Sequence, residues 1–347
     1  MTYTKETKAA VELLKKMIAI PSVSREEGLV GDILEHYLKE QGCEVHRKGN
    51  NLWVMSDRFD SSKPAVLLNA HIDTVKPVTG WERDPFRPTE EEGRLYGLGS
   101  NDCGGGLVSL LQVFLKLRSE RDDLVFLASC EEEVSGKNGI ESVIAEMPEI
   151  AYAIVGEPTG MQPAIAEKGL MVVDAVAHGK AGHAARNEGV NAIYIALDDI
   201  QKVRTMDFPK KSGLLGKVKA TVTIINAGTQ HNVIPDECRF TIDIRSNEQY
   251  SNEEIFAILQ QELQSELKAR SFRLNSSSIS PEHPFVRRCV ELGMRPFGSP
   301  TLSDQALMPW PSLKLGPGES SRSHTADEYI CLSEIADAIE KYLWLLT

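Results

Sequence analysis

The 347-residue chain has no Cys-x-x-Cys pair; its cysteines stand apart at 43, 103, 130, 238, 289 and 331. A chain this long can bury a core without disulfide staples and shows no secretory start, so reduced thiols in a cytoplasmic protein are expected. It also has no block of lysines or arginines, and 50 acidic against 38 basic residues leave a formal charge of −12. A phosphate backbone is repelled by that balance, which argues against nucleic acid as a partner. No apolar run reaches the ~18 residues a membrane span needs, so no membrane partner is expected. The start, MTYTKETKAAVELLKKMIAIPSVS, reads as an amphipathic helix with Lys15 and Lys16 interrupting its apolar stripe. The glycine-rich GLGSNDCGGG lacks the Gly-Lys-Ser/Thr ending of a phosphate-binding loop.

What is present alternates. Helical patterns near 5–19 and 26–41 precede strand-like pieces at 43–47, 51–56 and 64–70. A helix near 105–118, a strand at 124–130, a short helix near 138–146 and the strand AYAIVGE follow. Apolar strands separated by helices predict an α/β fold, a mostly parallel sheet covered on both faces. From about 170 to 280 the pattern changes to half-exposed strands (MVVDAVAHG, KVKATVTIINAG, ECRFTIDIR) with helices near 190–203 and over NEEIFAILQQELQSEL. This predicts a two-layer α+β unit, 170–280, inserted into a domain made of 1–169 and 281–347. Helices near 285–294 and 332–345 close the chain.

The stretch LVFLASCEEEVS ends a buried strand in three consecutive carboxylates, Glu131, Glu132 and Glu133. Like charges so placed repel and lose hydration, so a cation is expected beside them. Other strand tips carry similar groups: His71 and Asp73 after PAVLLNA, and Glu157 in GEPTG. Asp102 sits in the glycine-rich loop and His324 in GPGESSRSHTADEY. Strand ends are where open α/β sheets place their sites. Taken singly, each residue reads as a turn, a cap or a surface group. Taken jointly, imidazoles and carboxylates suit zinc, with cobalt or manganese as substitutes.

The set H-x-D, N-D with following glycines, L-A-S-C-E-E-E, G-E-P-T and the late G-P-G…S-H-T-A-D-E resembles the acetylornithine deacetylase and succinyl-diaminopimelate desuccinylase family. Carboxypeptidase G2-like enzymes, aminoacylases and several dipeptidases are its relatives. The resemblance implies a two-metal catalytic domain of zinc-exopeptidase type and an inserted domain that makes a homodimer. It gives one metal to His71 and Glu157, the second to Glu133 and His324, and Asp102 to both. Asp73 becomes the carboxylate orienting a ligand histidine, and Glu132 the general base. Glu131 then stands where the family has Asp. A shifted register, with Glu131 as base and Glu132 as ligand, aligns less well because LASCEEE fits the unshifted one without a gap.

In the insertion, AHGKAGHAAR resembles the family's G-x-x-G-H motif, which makes His183 an oxyanion-stabilising residue acting on a partner subunit's site. HNVIPDECRFTIDIR resembles the stretch that binds a substrate carboxylate, giving Asn232 and Arg245 that role, and Gly318 belongs to a loop whose backbone touches substrate. The chain departs from the family pattern in three places. Asp102 is followed by Cys103-Gly104-Gly105 instead of Met-Lys-Gly, HID replaces H-T-D, and Ala-Ala-Arg follows His183. The expected activity is deacylation of N-acetyl- or N-succinyl-ornithine in arginine synthesis. Acyl-citrulline, acyl-lysine, succinyl-diaminopimelate or dipeptide hydrolysis are the alternatives, and a non-catalytic scaffold is the competing class. Arg186 is a candidate for an anionic acyl group.

Overall fold

The structure is a computed structural model and describes residues 3–186 and 188–347. The chain divides into two compact units. One comprises 1–165, 279–297 and 303–347, the other 166–278 and 298–302. Gly298–Leu302, which the sequence places with the first unit, clusters with the second.

The first unit is built on a sheet whose inner strands, Leu124–Ser129, Ala65–His71, Ile150–Val155 and Ser312–Lys314, run parallel in that order. Asn51–Met55 extends it antiparallel beyond Leu124–Ser129, and His46–Lys48 pairs outside that. Every residue of Ala65–His71 and of Leu124–Ser129 is buried. Alternation explains this: Val66, Leu68, Ala70, Leu124, Phe126 and Ala128 face one apolar cluster. Ala65, Leu67, Val125 and Leu127 face another, so the sheet is covered on both sides as parallel sheets are. The first cluster is completed by the helices Lys5–Ile18, Gly105–Leu117 and Leu332–Leu346.

In the second unit four antiparallel strands lie in the order Lys219–Ala227, Glu237–Arg245, Met171–His178 and Glu266–Ala269. Met171, Val173, Ala175 and Ala177 alternate inward onto Ala192, Ala196 and Val203 of the helix Ala192–Thr205 and Ile255 and Leu259 of Asn252–Glu262.

Two local expectations fail. The helix expected over NEEIFAILQQELQSEL stops at Glu262, and Glu266–Ala269 pairs instead with Met171–His178. Leu267 reaches the unit's apolar cluster from that strand, so tertiary pairing overrides the helix preference of the segment. The helix expected near 138–146 is two separate 3-10 turns, Ile140–Ser142 and Ile144–Glu146. Ile140 and Val143 are fully packed against the second face of the sheet. No helix among the described residues is long and apolar enough to cross a membrane.

Candidate metal centre

Because the inner strands are parallel, their carboxyl ends open at one edge, and the candidate residues follow from there. His71 lies opposite Ser129 in register, so the Cys130–Glu133 turn leaves the sheet beside it. On the other side, Asn69 lies opposite Val155, which leads into Glu157. Asp102 sits in the tight turn Ser100–Gly104 that opens the helix Gly105–Leu117.

The imidazole of His71 is 1% exposed and sandwiched between carboxylates. Its Nδ1 lies 2.8 Å from the Asp73 carbonyl, an acceptor only, which places the proton on Nδ1. Nε2 faces the carboxylates, 3.4 Å from Asp102 Oδ1 and 3.6 Å from Glu157 Oε1. It is buried without a hydrogen-bond partner, and Glu157 Oε1 is likewise. Burial opposes protonation, but Cys103, Asp102 and Asp73 hold the metal-free imidazole well above its ordinary value, so a proton sits among these groups where a cation would replace it.

Asp73 works in two directions. Its Oδ1 lies 3.5 Å from His71 Nδ1, and its two carboxylate oxygens accept the backbone N–H of Glu132 and of Glu133, each at 3.1 Å. Ser24 Oγ donates to it at 2.7 Å. One buried carboxylate thus fixes both the histidine and the turn carrying the glutamates.

The three glutamates part company. Glu131 turns away: its Oε1 accepts from Asn138 Nδ2 at 2.9 Å, and its N–H donates to the buried Glu27 carboxylate at 3.2 Å. Glu133 meets His324, Nε2 to Oε2 at 2.9 Å, and His324 also lies 3.7 Å from Asp102 Oδ2. Glu132 faces the remaining carboxylates. Burial, then the charges of Glu157, Asp304 and Glu133, push its carboxyl well above the ordinary range. Burial and the Asp102 charge push Glu157 up to about 8, with His71 and the buried Lys314 opposing. Burial works to raise Asp102 as well, but the hydrogen bond and charge of His71 hold it below its ordinary value. The pairing with Glu133 lifts His324 to about 9.

Ser24, Glu27 and Asp304 have no signature in the sequence reading, and Cys103 and Gly318 show roles beyond it. Ser24 and Glu27 belong to the loop PSVSREE, whose only sequence signal is its polar run after an amphipathic helix. Asp304 accepts from Ser129 Oγ at 2.6 Å at the foot of the Glu132 turn. Cys103 Sγ accepts from the His71 backbone N–H at 3.2 Å and comes within 4.8 Å of ligand atoms of His71 and Glu157. Gly318 has φ +83°, and a Cβ there would meet Asn101 Oδ1 at 2.2 Å, so the loop admits only glycine at this point.

The remaining candidates lie in the second unit. His183 and Asn232 are neighbours: Gly182–His183 pairs with Val233–Ile234, and Ala184 N–H donates to the Asn232 carbonyl at 2.9 Å. Both side chains are exposed, as is Arg186. The Arg245 guanidinium is gripped by Asp243 through Nε at 2.9 Å and Nη2 at 3.2 Å.

The first unit's donor set fits two divalent cations: an imidazole nitrogen and a carboxylate oxygen buried without hydrogen-bond partners, carboxyls pushed upward by burial and by one another's charge, and a second histidine facing Glu133. His71, Asp102 and Glu133 offer ligand atoms within 4.8 Å of one another.

Known proteins resemble the chain in sequence and in fold. The chain is 28% identical over 355 residues to the acetylornithine deacetylase of Shigella sonnei, covering 92% of each chain. It is 27% identical over 251 residues to the succinyl-diaminopimelate desuccinylase of Nitratiruptor, covering 68% of each. Its fold is similar to that of YXEP from Bacillus subtilis, described as a dinuclear metal-binding peptidase of the M20 family. The TM-score is 0.73 at 15% identity, covering 98% of this chain and 97% of that one. Residues 67–347 match the peptidase family M20/M25/M40, and the chain belongs to that family, a hydrolase acting on amide bonds.

Proposed function

We propose that the chain removes the acyl group from an N-acyl amino acid, N-acetyl- or N-succinyl-L-ornithine in arginine synthesis, in the cytoplasm. The observation that carries the reading is His71 Nε2, buried without a hydrogen-bond partner and facing the carboxylates of Asp102 and Glu157, with Glu132 alongside. His71 and Glu157 would hold one divalent ion and Glu133 and His324 a second, with Asp102 shared. Bound there, zinc, or cobalt or manganese in its place, would supply Lewis acidity that acidifies water and polarises an amide carbonyl.

The chain's own groups do the proton work. With cations neutralising its neighbours, Glu132 loses the repulsion that raises its carboxyl and becomes a base. It accepts the proton of the attacking water and returns it to the departing amine nitrogen. Asp73 keeps His71 in one tautomer and holds the Glu132 and Glu133 amides in place. His183 as oxyanion stabiliser, and Asn232, Arg245 and Gly318 as contacts to the substrate's carboxylate and backbone, rest on the resemblance of their motifs.

A homodimer formed through the second unit belongs to the same reading. Lys219–Ala227 is an edge strand with Ile224 51% and Ile225 50% exposed. The adjoining helix shows Tyr194 at 67% and Leu197 at 50%. An edge strand beside an apolar helix face suits pairing with its own copy across a two-fold axis.

Dipeptide hydrolysis is the second reading, favoured by the peptidase description of YXEP. The test is release of free amine from N-acetyl- and N-succinyl-ornithine, -citrulline, -lysine and -diaminopimelate and from dipeptides, using zinc- or cobalt-reconstituted protein. Metal-dependent cleavage of an acyl-ornithine is expected. Cleavage of dipeptides alone would replace the deacylase reading, and silence across the panel would favour a scaffold.

A further inference from the structure

Glu328 is 2% exposed and bonds to backbone amides: its carboxylate accepts from Gly99 N–H at 3.1 Å, Asn101 N–H at 2.8 Å and Asp102 N–H at 2.9 Å. A buried carboxylate is costly, and an apolar side chain would fill the same space more cheaply. What a carboxyl group adds is two fixed oxygen acceptors for amides that would otherwise be orphaned. Those amides belong to the loop that carries Asp102. With its backbone pinned from the Glu328 side, the Asp102 side chain reaches His71 at 3.4 Å and His324 at 3.7 Å.

Asn101 ties the same loop to the segment preceding His324. Its Oδ1 accepts from Glu319 N–H at 3.0 Å, and its Nδ2 donates to Glu319 O at 3.1 Å and to Ser323 Oγ at 3.3 Å. Glu328 itself follows His324 by four residues and is anchored where Tyr329–Cys331 pairs with Arg94–Tyr96 and where Gly97 N–H donates to its carbonyl. His324 has φ +59°, a conformation that persists for a non-glycine residue only when its surroundings over-determine it. Asn101 fastens the chain just before His324, and Glu328 fastens it just after.

We infer that Glu328, with Asn101, is a positioning residue that sets the spacing of Asp102 and His324, so that the half-site of the second cation is built by the protein before any ion arrives. The inference rests on the two-metal reading of the site. Glu328 and Asn101 touch neither substrate nor ion; they act through the backbone of one ligand and the flanks of the other.

The test compares full-length wild type, Glu328→Gln and Asn101→Ala. Each is stripped of metal and titrated with zinc by calorimetry, with the thermal midpoint measured before and after saturation. Wild type is expected to bind two ions. Both variants should bind the second ion, which loses the placement of both Asp102 and His324, about 10- to 100-fold more weakly, as for other outer partners of metal ligands, and the first, which shares only Asp102, with a smaller loss. Their metal-induced rise in midpoint should shrink accordingly. Wild-type affinity for the second ion in both variants would overturn the inference. So would metal-free and saturated midpoints that fall in parallel with affinity unchanged, since that marks a purely structural buttress. Should Glu328→Gln not fold, Asn101→Ala decides, because it leaves the buried carboxylate in place. A wild type that takes up only one ion would defeat the two-metal reading itself, a result distinct from two ions bound equally by all three proteins.

Discussion

The proton balance at Glu132 sets the chemistry at the smallest scale. Glu132→Gln should keep the metal content of the wild type while losing about 100- to 10,000-fold in kcat, the usual contribution of a positioned general base. If Glu131→Gln is inactive and Glu132→Gln is not, the assignment within the three glutamates is wrong by one position. The carboxyls also make a prediction for the metal-free protein. Glu157 is raised from 4.5 to about 8 in the folded chain, and Glu132 is raised too. Between those two values the folded chain holds protons that the unfolded chain has released. The stability these groups contribute is therefore complete below about pH 4.5 and is lost as pH rises through about 8. His324, raised from 6.5 to about 9, acts with the same sign. The thermal midpoint of chelated protein should fall as pH rises across this window, and bound metal should flatten or reverse the slope because ions compete with protons. A midpoint rising with pH in the chelated protein would contradict the burial of these carboxyls. At this scale the convergence of His71, Asp102, Glu132, Glu133 and Glu157 could be read from residue types at successive strand ends and in a glycine loop. Glu27, Asn101 and Glu328 could not, because they act through backbone amides, which no side-chain spacing announces.

Elements hold those residues through close backbone packing. The helix Gly105–Leu117 approaches the strand that leads to Glu157 so closely that a Cβ on Gly106 would lie 1.7 Å from the Gly156 carbonyl oxygen. Gly106→Ala should destabilise the protein by about 1–3 kcal/mol or more through overpacking against backbone that cannot yield. It should lower metal affinity as well, since Glu157 is next in the chain. Urea unfolding and zinc titration check the two parts, and wild-type values in both would show that the contact is slack. The long helices and buried strands were legible because their apolar periods run uninterrupted. The segment from Leu263 to Ala269 was not. Its residues favour helix, but Glu266–Ala269 pairs with Met171–His178 at the sheet's edge, and that gain is invisible to local pattern.

For the whole molecule, the α/β class followed from strands alternating with helices, while the first unit's opening stretch ends at Ile165 and the pattern changes near 170. What the sequence could not show is which surfaces stay uncovered, because exposure is decided by packing between distant segments. The exposed Tyr194, Leu197 and Ile225 give the dimer reading a direct test. Tyr194→Asp should shift the protein from dimer to monomer in sedimentation at micromolar concentration, and a wild type that is already monomeric would remove that reading. If His183 serves the partner's site, dimers mixed from a His183 variant and a Glu132 variant should recover activity that neither parent has. The central claim is that this edge of the sheet is a two-cation centre, and anomalous diffraction from zinc-loaded crystals tests it most directly. The account predicts two peaks about 3.5–4 Å apart, one between His71 and Glu157, the other between Glu133 and His324, with Asp102 touching both. A single peak, or peaks away from these residues, would contradict it.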